Sequence, residues 1–302
     1  MVMSAPPYRG RFAPSPTGPL HFGSLLAAVG SYLDAKACGG EWLVRIEDLD
    51  PPRTVAGAAA HILRTLEACG MYWDGAVVHQ GARAEAYHAA LHRLRSTGRV
   101  YPCACSRREI ADVAVAGVEG PVYPGTCRGA PSLTRPARAL RIDTRGASIG
   151  FDDALQGPQS IDLAAGAGDF VLYRDDRVFA YQLAVVIDDA EQGITDVVRG
   201  ADLLASTPRQ IFLQRLLGLP TPRYCHLPVA VDACGEKLSK QTRAPAIDPQ
   251  RPLPALVGAL RSLGQAPPQQ LVQANCAELW SWAIANWRRE RVPRAATLPA
   301  PA

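Results

Sequence analysis

Residues 1–99 alternate between short apolar runs and longer stretches whose apolar positions recur at helical spacing. Residues 9–13 read as a strand. Residues 23–37 read as a helix, with Leu25, Leu26, Val29 and Leu33 on one face. The run WLVRI at 42–46 is a buried-strand candidate. Thr54 is placed to cap a helix running to Cys69, with Pro51 and Pro52 just ahead of it, and a further helix fits 82–96. Strand–helix–strand–helix order is what a parallel sheet with crossover helices requires.

From Val100 the texture changes. Cysteine, glycine and proline crowd 101–136, followed by short strand-like runs at 139–142, 149–151 and 160–163. Residues 100–168 therefore read as an α+β subdomain inserted between two halves of the main sheet, 1–99 and 169–243. In the second half strand signals return at 170–173, 179–187 and 196–198, with Asp188 and Asp189 closing the middle one at a pocket rim. A helix is predicted over 208–217. Residues 244–302 read as a short helical region with proline breaks, and 293–302 as frayed. There is no internal repeat.

At 302 residues the chain is long enough to bury a sizeable core, and 48% apolar with 20% charged residues fits a globular protein. No apolar run approaches membrane-spanning length and the N-terminus lacks the order of a signal peptide, so a cytoplasmic location with no membrane partner is expected. In a reducing compartment the eight cysteines do not suggest a disulfide framework, and any cluster leans towards metal. The net charge of +4 is mild. The segment after residue 250 is more one-sided, with Arg251, Arg261, Arg288, Arg289, Arg291 and Arg294 against Glu278 and Glu290.

Three stretches carry candidate chemistry. In RFAPSPTGPLHFGSL, residues 11–25, a strand runs through a stiff proline–glycine turn into a helix N-terminus, where nucleotides bind in open α/β sheets. Gly23 there lets a flat base or ribose approach the backbone, and His21 can donate to phosphate oxygens. Far downstream stands Lys237-Leu238-Ser239-Lys240-Gln241, preceded by Gly235. Of the 32 lysines and arginines only Lys36, Lys237 and Lys240 are lysines, so this loop needs a compact ammonium and not merely positive charge. The third stretch holds Cys103, Cys105 and Cys127, which suit a structural, tetrahedral zinc with one further ligand. No histidine lies between them, which leaves Glu109, Asp112, Glu119 or Tyr123.

His21-Phe22-Gly23-Ser24 and the lysine loop at 237–241, in that order and separation, resemble the paired signatures of class I aminoacyl-tRNA synthetases. PSPTG ahead of the histidine, RIEDLDPPR at 45–53 and FAYQLAVVIDDAEQGITDVVRGADLL at 179–204 narrow the resemblance to the glutamyl branch, over residues 9–242. There are departures. Ser24 stands where a second histidine is common, Gln241 where a serine is common, and only about sixty residues follow the loop. A short form without the anticodon-reading helical domain resembles the glutamyl-Q tRNA(Asp) synthetases.

The resemblance implies an α/β fold: a Rossmann-like parallel sheet, an inserted zinc-containing α+β subdomain and a short C-terminal helical part. It implies ATP-dependent activation of L-glutamate, with magnesium accompanying ATP, and transfer of the glutamyl group to the queuosine base of tRNA(Asp). A truncated glutamyl-tRNA synthetase charging the 3′ end of tRNA(Glu) is the alternative. It assigns catalysis to His21 and Lys240, and ATP binding to these with Gly23, Lys237 and Ser239. The glutamate pocket would be Arg11, Phe12, Ala13, Pro14, Ser15, Glu47 for the ammonium, Tyr181, and Arg199 for the side-chain carboxylate. It selects Tyr123 to complete the zinc site. A monomer is expected, since no long exposed apolar stripe is evident.

Overall fold

The computed structural model describes residues 7–117, 120–129, 135–232, 234–238 and 245–300. β1 (Arg9–Phe12) leads through the PSPTG turn into α1 (Phe22–Ala37), and β2 (Glu41–Ile46) returns parallel to β1. The predicted apolar face of α1 is the buried one: Leu25, Leu26, Val29 and Leu33 are at most 1% exposed. α2 (Ala58–Ala68) does not start at Thr54. Pro51–Arg53 close a 3-10 turn in which the Thr54 hydroxyl donates to the Asp50 carbonyl (3.2 Å), and the helix begins after Gly57 at φ +76°. The prolines fix a tight turn, and the chain then needs a left-handed residue, which glycine adopts at least cost. β3 (Val78–His79) pairs parallel with β2 and is followed by α3 (Ala84–Ser96).

Next come β4 (Val100–Cys103), α4 (Arg107–Ala111), β5 (Val115–Gly117), β6 (Gly120–Val122), β7 (Ala139–Ile142), β8 (Ser148–Asp153), β9 (Gly157–Asp162), α5 (Leu163–Gly166) and β10 (Phe170–Arg174). β7 lies antiparallel between β4 and β10, so the strand after the inserted segment shares its sheet. β8 and β9 form an antiparallel pair.

The run expected as a strand at 179–187 is helical: α6 spans Tyr181–Glu191. Leu183 to Ile187 are all buried, so the helix is apolar nearly all round and its periodicity cannot be told from that of a buried strand. Asp188 and Asp189 accordingly sit inside its last turns, 0% and 6% exposed, and not at a rim. β11 (Asp196–Gly200), α7 (Thr207–Leu217), β12 (Arg223–Leu227) and β13 (Val229–Val231) follow, then α8 (Pro252–Ser262), α9 (Cys276–Asn286) and β14 (Thr297–Pro299). The C-terminal segment expected to fray instead pairs β14 parallel with β13, with Val229 N–H donating to the Ala296 carbonyl (3.0 Å).

β11 and β12 are parallel, and β12 meets β8 in parallel at Tyr224 and Asp153. β1 runs beside β11, where Thr195 N–H donates to the Arg9 carbonyl (2.9 Å). One apolar core packs α1 against β1, β2, α8 and α9; a second packs α3, α6 and α7. The carboxyl ends of β1, β2 and β11 then deliver Ser15, Glu47 and Arg199, the arrangement that places ligands at strand ends in open α/β sheets. Among the described residues no helix is long and apolar enough to cross a membrane.

Candidate active site

A cleft of about 610 Å³ has Ser15, Glu47 and Tyr181 at one end and Cys105, Arg138 and Arg141 at the other. Behind Glu47 lies a layer of buried charge that does not itself line the cleft. Arg11, 3% exposed, grips both oxygens of Asp189 with Nε (3.0 Å) and Nη2 (3.3 Å). Arg45, fully buried, reaches the same carboxylate with Nη2 (2.7 Å) and Gln192 with Nη1 (2.6 Å). Asp188 accepts from Gln80 (2.6 Å), Arg83 (2.7 Å) and Tyr87 (2.9 Å). Burial pushes the Asp189 carboxyl up, but the two guanidiniums outweigh it and hold it below the usual carboxylate range.

Glu47 differs. Among the described residues its Oε1 has no hydrogen-bond partner; it lies 3.7 Å from Arg45 Nη2, with the side chain 10% exposed. Burial lifts its carboxyl to about 7, against the pull of Arg45 and Arg11. A nearly buried carboxylate with an unsatisfied oxygen on a cleft wall is suited to a cationic guest. Arg199, 5% exposed, donates from Nη1 to the Tyr181 hydroxyl (3.3 Å). Tyr181 lies within electrostatic reach of Arg199, Glu47 and Arg11, so the structure brings these predicted residues together. Phe12 does not join them as a pocket wall: it is buried and stacked on Trp42, ring centroids 6.2 Å apart. Ala13 precedes Pro14, and the Pro14 carbonyl accepts from Glu47 N–H (3.0 Å), tying the two strand ends together.

His21 caps α1. Its Nδ1 accepts from Ser24 N–H (3.3 Å) while Ser24 Oγ accepts from His21 N–H (2.9 Å), a reciprocal cap that explains a serine at this position. With Nδ1 accepting, the imidazole proton is on Nε2. At Gly23 a Cβ would lie 2.9 Å from the Leu238 carbonyl oxygen, so glycine lets these two stretches pack closely. The two signature stretches therefore touch, and Ile247 N–H donates to the Leu20 carbonyl (2.9 Å) as the chain returns. Lys237 pairs with Asp202 (2.5 Å). Ser239, Lys240 and Gln241 lie outside the described residues.

At the other end of the cleft, the sulfurs of Cys103, Cys105 and Cys127 all lie within 4.8 Å of one another, and Cys105 and Cys127 are 3.6 Å apart. The Tyr123 hydroxyl is 3.4 Å from Cys103 Sγ and 3.6 Å from Cys105 Sγ. Zinc–sulfur bonds of about 2.3 Å put tetrahedral ligands roughly 3.8 Å apart, so these residues fit such an ion. Burial opposes it, but hydrogen bonds from Tyr123 and the Ala104 backbone bring the Cys127 thiol down to about 7. Glu109 is engaged elsewhere, capping α4 through Ser106 N–H (2.7 Å) and pairing with Arg135 (2.8 Å). Arg141 stacks on Tyr123, 4.0 Å from the ring centroid, and so links the cluster to the cleft.

Residues 8–251 match the family of class I tRNA synthetases (E and Q), catalytic domain. The chain is 57% identical to the glutamyl-Q tRNA(Asp) synthetase of Aromatoleum aromaticum, covering 99% of this chain and 94% of that protein. To the protein of the same name from Dechloromonas aromatica it is 59% identical, over 98% and 99%. The chain belongs to the glutamyl-Q tRNA(Asp) synthetase family. Among solved structures it resembles a glutamate tRNA ligase from Elizabethkingia meningosepticum in complex with its amino acid, with a TM-score of 0.79 and 26% identity. That similarity covers 98% of this chain and 68% of the ligase.

Sequence reasoning left two parts of this family member's site unread. Asp189 is the hub that orders Arg11 and Arg45, residues 178 and 144 positions away. Asp153 and His226, which brace Arg199, come from strands facing each other across 73 residues. Residues 224–227 are all buried, without the alternation that marks a half-buried strand, and no local pattern names their partner.

Proposed function

We propose that this protein activates L-glutamate with ATP and transfers the glutamyl group to the queuosine base of tRNA(Asp). The observation that carries the reading is identity of 57–59% to glutamyl-Q tRNA(Asp) synthetases over nearly the whole length of both partners. In the proposed first step the glutamate α-carboxylate attacks the α-phosphorus of magnesium-bound ATP. The bond from that phosphorus to the bridging oxygen breaks, pyrophosphate leaves, and glutamyl-adenylate remains. No protein nucleophile is needed, so catalysis consists of alignment and stabilisation of phosphate charge.

In this reading Glu47 takes the ammonium, and Arg11, Ser15, Tyr181 and Arg199 fix the carboxylates. His21 donates from Nε2 to the phosphates, and Lys240, with Lys237 and Ser239, closes from the other side. In the second step the acceptor attacks the adenylate carbonyl and AMP leaves. Cys103, Cys105, Cys127 and Tyr123 would hold a structural zinc ion, which neutralises thiolate charge and ties the segment together.

Glutamate-dependent ATP–pyrophosphate exchange, followed by labelled-glutamate transfer to tRNA(Asp) with and without queuosine, tests this. Label on the queuosine-containing tRNA alone is expected. Label on the 3′ end of tRNA(Glu) would establish the truncated glutamyl-tRNA synthetase instead. Lys240→Ala is expected to lower exchange by about two orders of magnitude or more while glutamate still binds.

A further inference from the structure

We infer that His226, fixed by Asp153, is a positioning residue that dictates which edge of the Arg199 guanidinium faces the amino-acid pocket. The inference rests on the reading of Arg199 as a glutamate-binding group. His226 on β12 is fully buried. Its Nδ1 lies 2.6 Å from Asp153 Oδ2, and its backbone N–H donates to Asp153 Oδ1 (3.1 Å). Oδ1 also accepts from the backbone N–H groups of Leu155 (3.1 Å) and Gln156 (2.9 Å), as befits an ionised, acceptor-only carboxylate. The proton between the two side chains therefore sits on Nδ1, which leaves Nε2 an acceptor, with the Thr207 hydroxyl 3.2 Å away as its other polar neighbour.

Arg199 supplies the complement. Its Nε–H donates to that acceptor at 3.0 Å, and a guanidinium has no acceptor with which to reverse the bond. Nη2 is used by Thr207 Oγ1 (2.8 Å) and the Leu203 carbonyl (3.3 Å). Nη1 remains, and it points to the Tyr181 hydroxyl (3.3 Å) on the cleft wall. Arg199 thus meets a ligand end-on, through Nη1, and its Nε–Nη2 edge is committed inside the protein. Asp153 and His226 act together in this: the carboxylate sets the tautomer, and the tautomer sets the arginine.

Asp153→Asn breaks the device with little change of shape. The backbone donors keep the amide oxygen at the Oδ1 position, so its N–H₂ confronts Nδ1 and the imidazole proton moves to Nε2, facing Arg199 Nε–H. The expected result is a rise of about tenfold or more in KM for glutamate in pyrophosphate exchange, with KM for ATP and kcat changed less than about threefold. His226→Leu is expected to do the same. His226→Gln keeps an acceptor for Nε–H and is expected to recover most of the loss.

Histidine ¹⁵N spectroscopy on the unaltered protein supplies a readout independent of activity and of variant folding. A neutral ring protonated at Nδ1 is expected for His226, and a proton at Nε2 would overturn the inference. If Arg199→Ala raises the glutamate KM but Asp153→Asn and His226→Leu do not, positioning is refuted and the reading of Arg199 stands. If Arg199→Ala leaves that KM unchanged, the reading of Arg199 fails and this inference falls with it.

Discussion

The two ends of the cleft are ordered by opposite means. Around Asp189 the order is internal: arginines and acids from β1, β2 and α6 neutralise one another among tightly packed apolar side chains. Around Cys127 the thiols converge from the end of β4 and the turns beyond it, and neither apolar core takes in Cys103, Cys105, Tyr123 or Cys127. Permanent charges can finish a site before any ligand arrives, whereas a thiol cluster is finished by the cation that joins it. One end is therefore held mainly by charges that pair with one another within the protein. The other is expected to be as stable as its ion is tightly held.

The largest effect should come from breaking the internal network. Asp189→Ala leaves two buried guanidiniums without their shared partner, and a loss of roughly 3–5 kcal/mol in urea unfolding is expected. A loss under about 1 kcal/mol would mean that the two ends do not differ as described. Next, Cys127→Ser should abolish binding of one zinc equivalent. The unaltered protein's melting temperature should fall on chelation, by the equivalent of about 2–3 kcal/mol, and the variant's should not respond.

Third in size is a pH effect on Glu47, whose Oε1 accepts no hydrogen bond among the described residues. The Glu47 carboxyl stands at about 7 in the free protein, and an ammonium beside it favours the charged form. Glutamate affinity by calorimetry should therefore increase as pH rises through 7 and fall by about tenfold per unit below it. Glu47→Gln should flatten that profile. The smallest effect is a control between the two ends: Thr54→Ala, in an exposed turn, should change stability by less than about 0.5 kcal/mol. A true N-cap there would cost about 1 kcal/mol.

What the sequence discloses follows the same division. The convergence of the three cysteines is legible because cysteine is a rare residue type and these stand close together in the chain. α1 is legible because one face is wet and the other dry. α6 was misread as a strand because Leu183, Ala184, Val185, Val186 and Ile187 are buried on all sides, which erases the helical period. The misreading displaced Asp188 and Asp189 from the interior to a rim, and so hid the partners of Arg11 and Arg45. Gly23 was legible as a glycine that something must approach closely. That the something is the Leu238 carbonyl depends on a contact across more than two hundred residues, which no local pattern encodes. The β13–β14 pairing is of the same kind, since a proline-rich terminus carries little strand signal.

The way β7 and β8 are sewn into their surroundings bears on how this enzyme could be re-engineered. β10 hangs from β7, and β12 meets β8, so the segment that carries the three clustered cysteines is woven into both neighbours. Cutting it out to leave a smaller fragment, or exchanging it like a cassette, would unravel the edge that carries Tyr224 and, beside it, His226. Changes to this segment are better made by substitution in place than by transplanting the whole module.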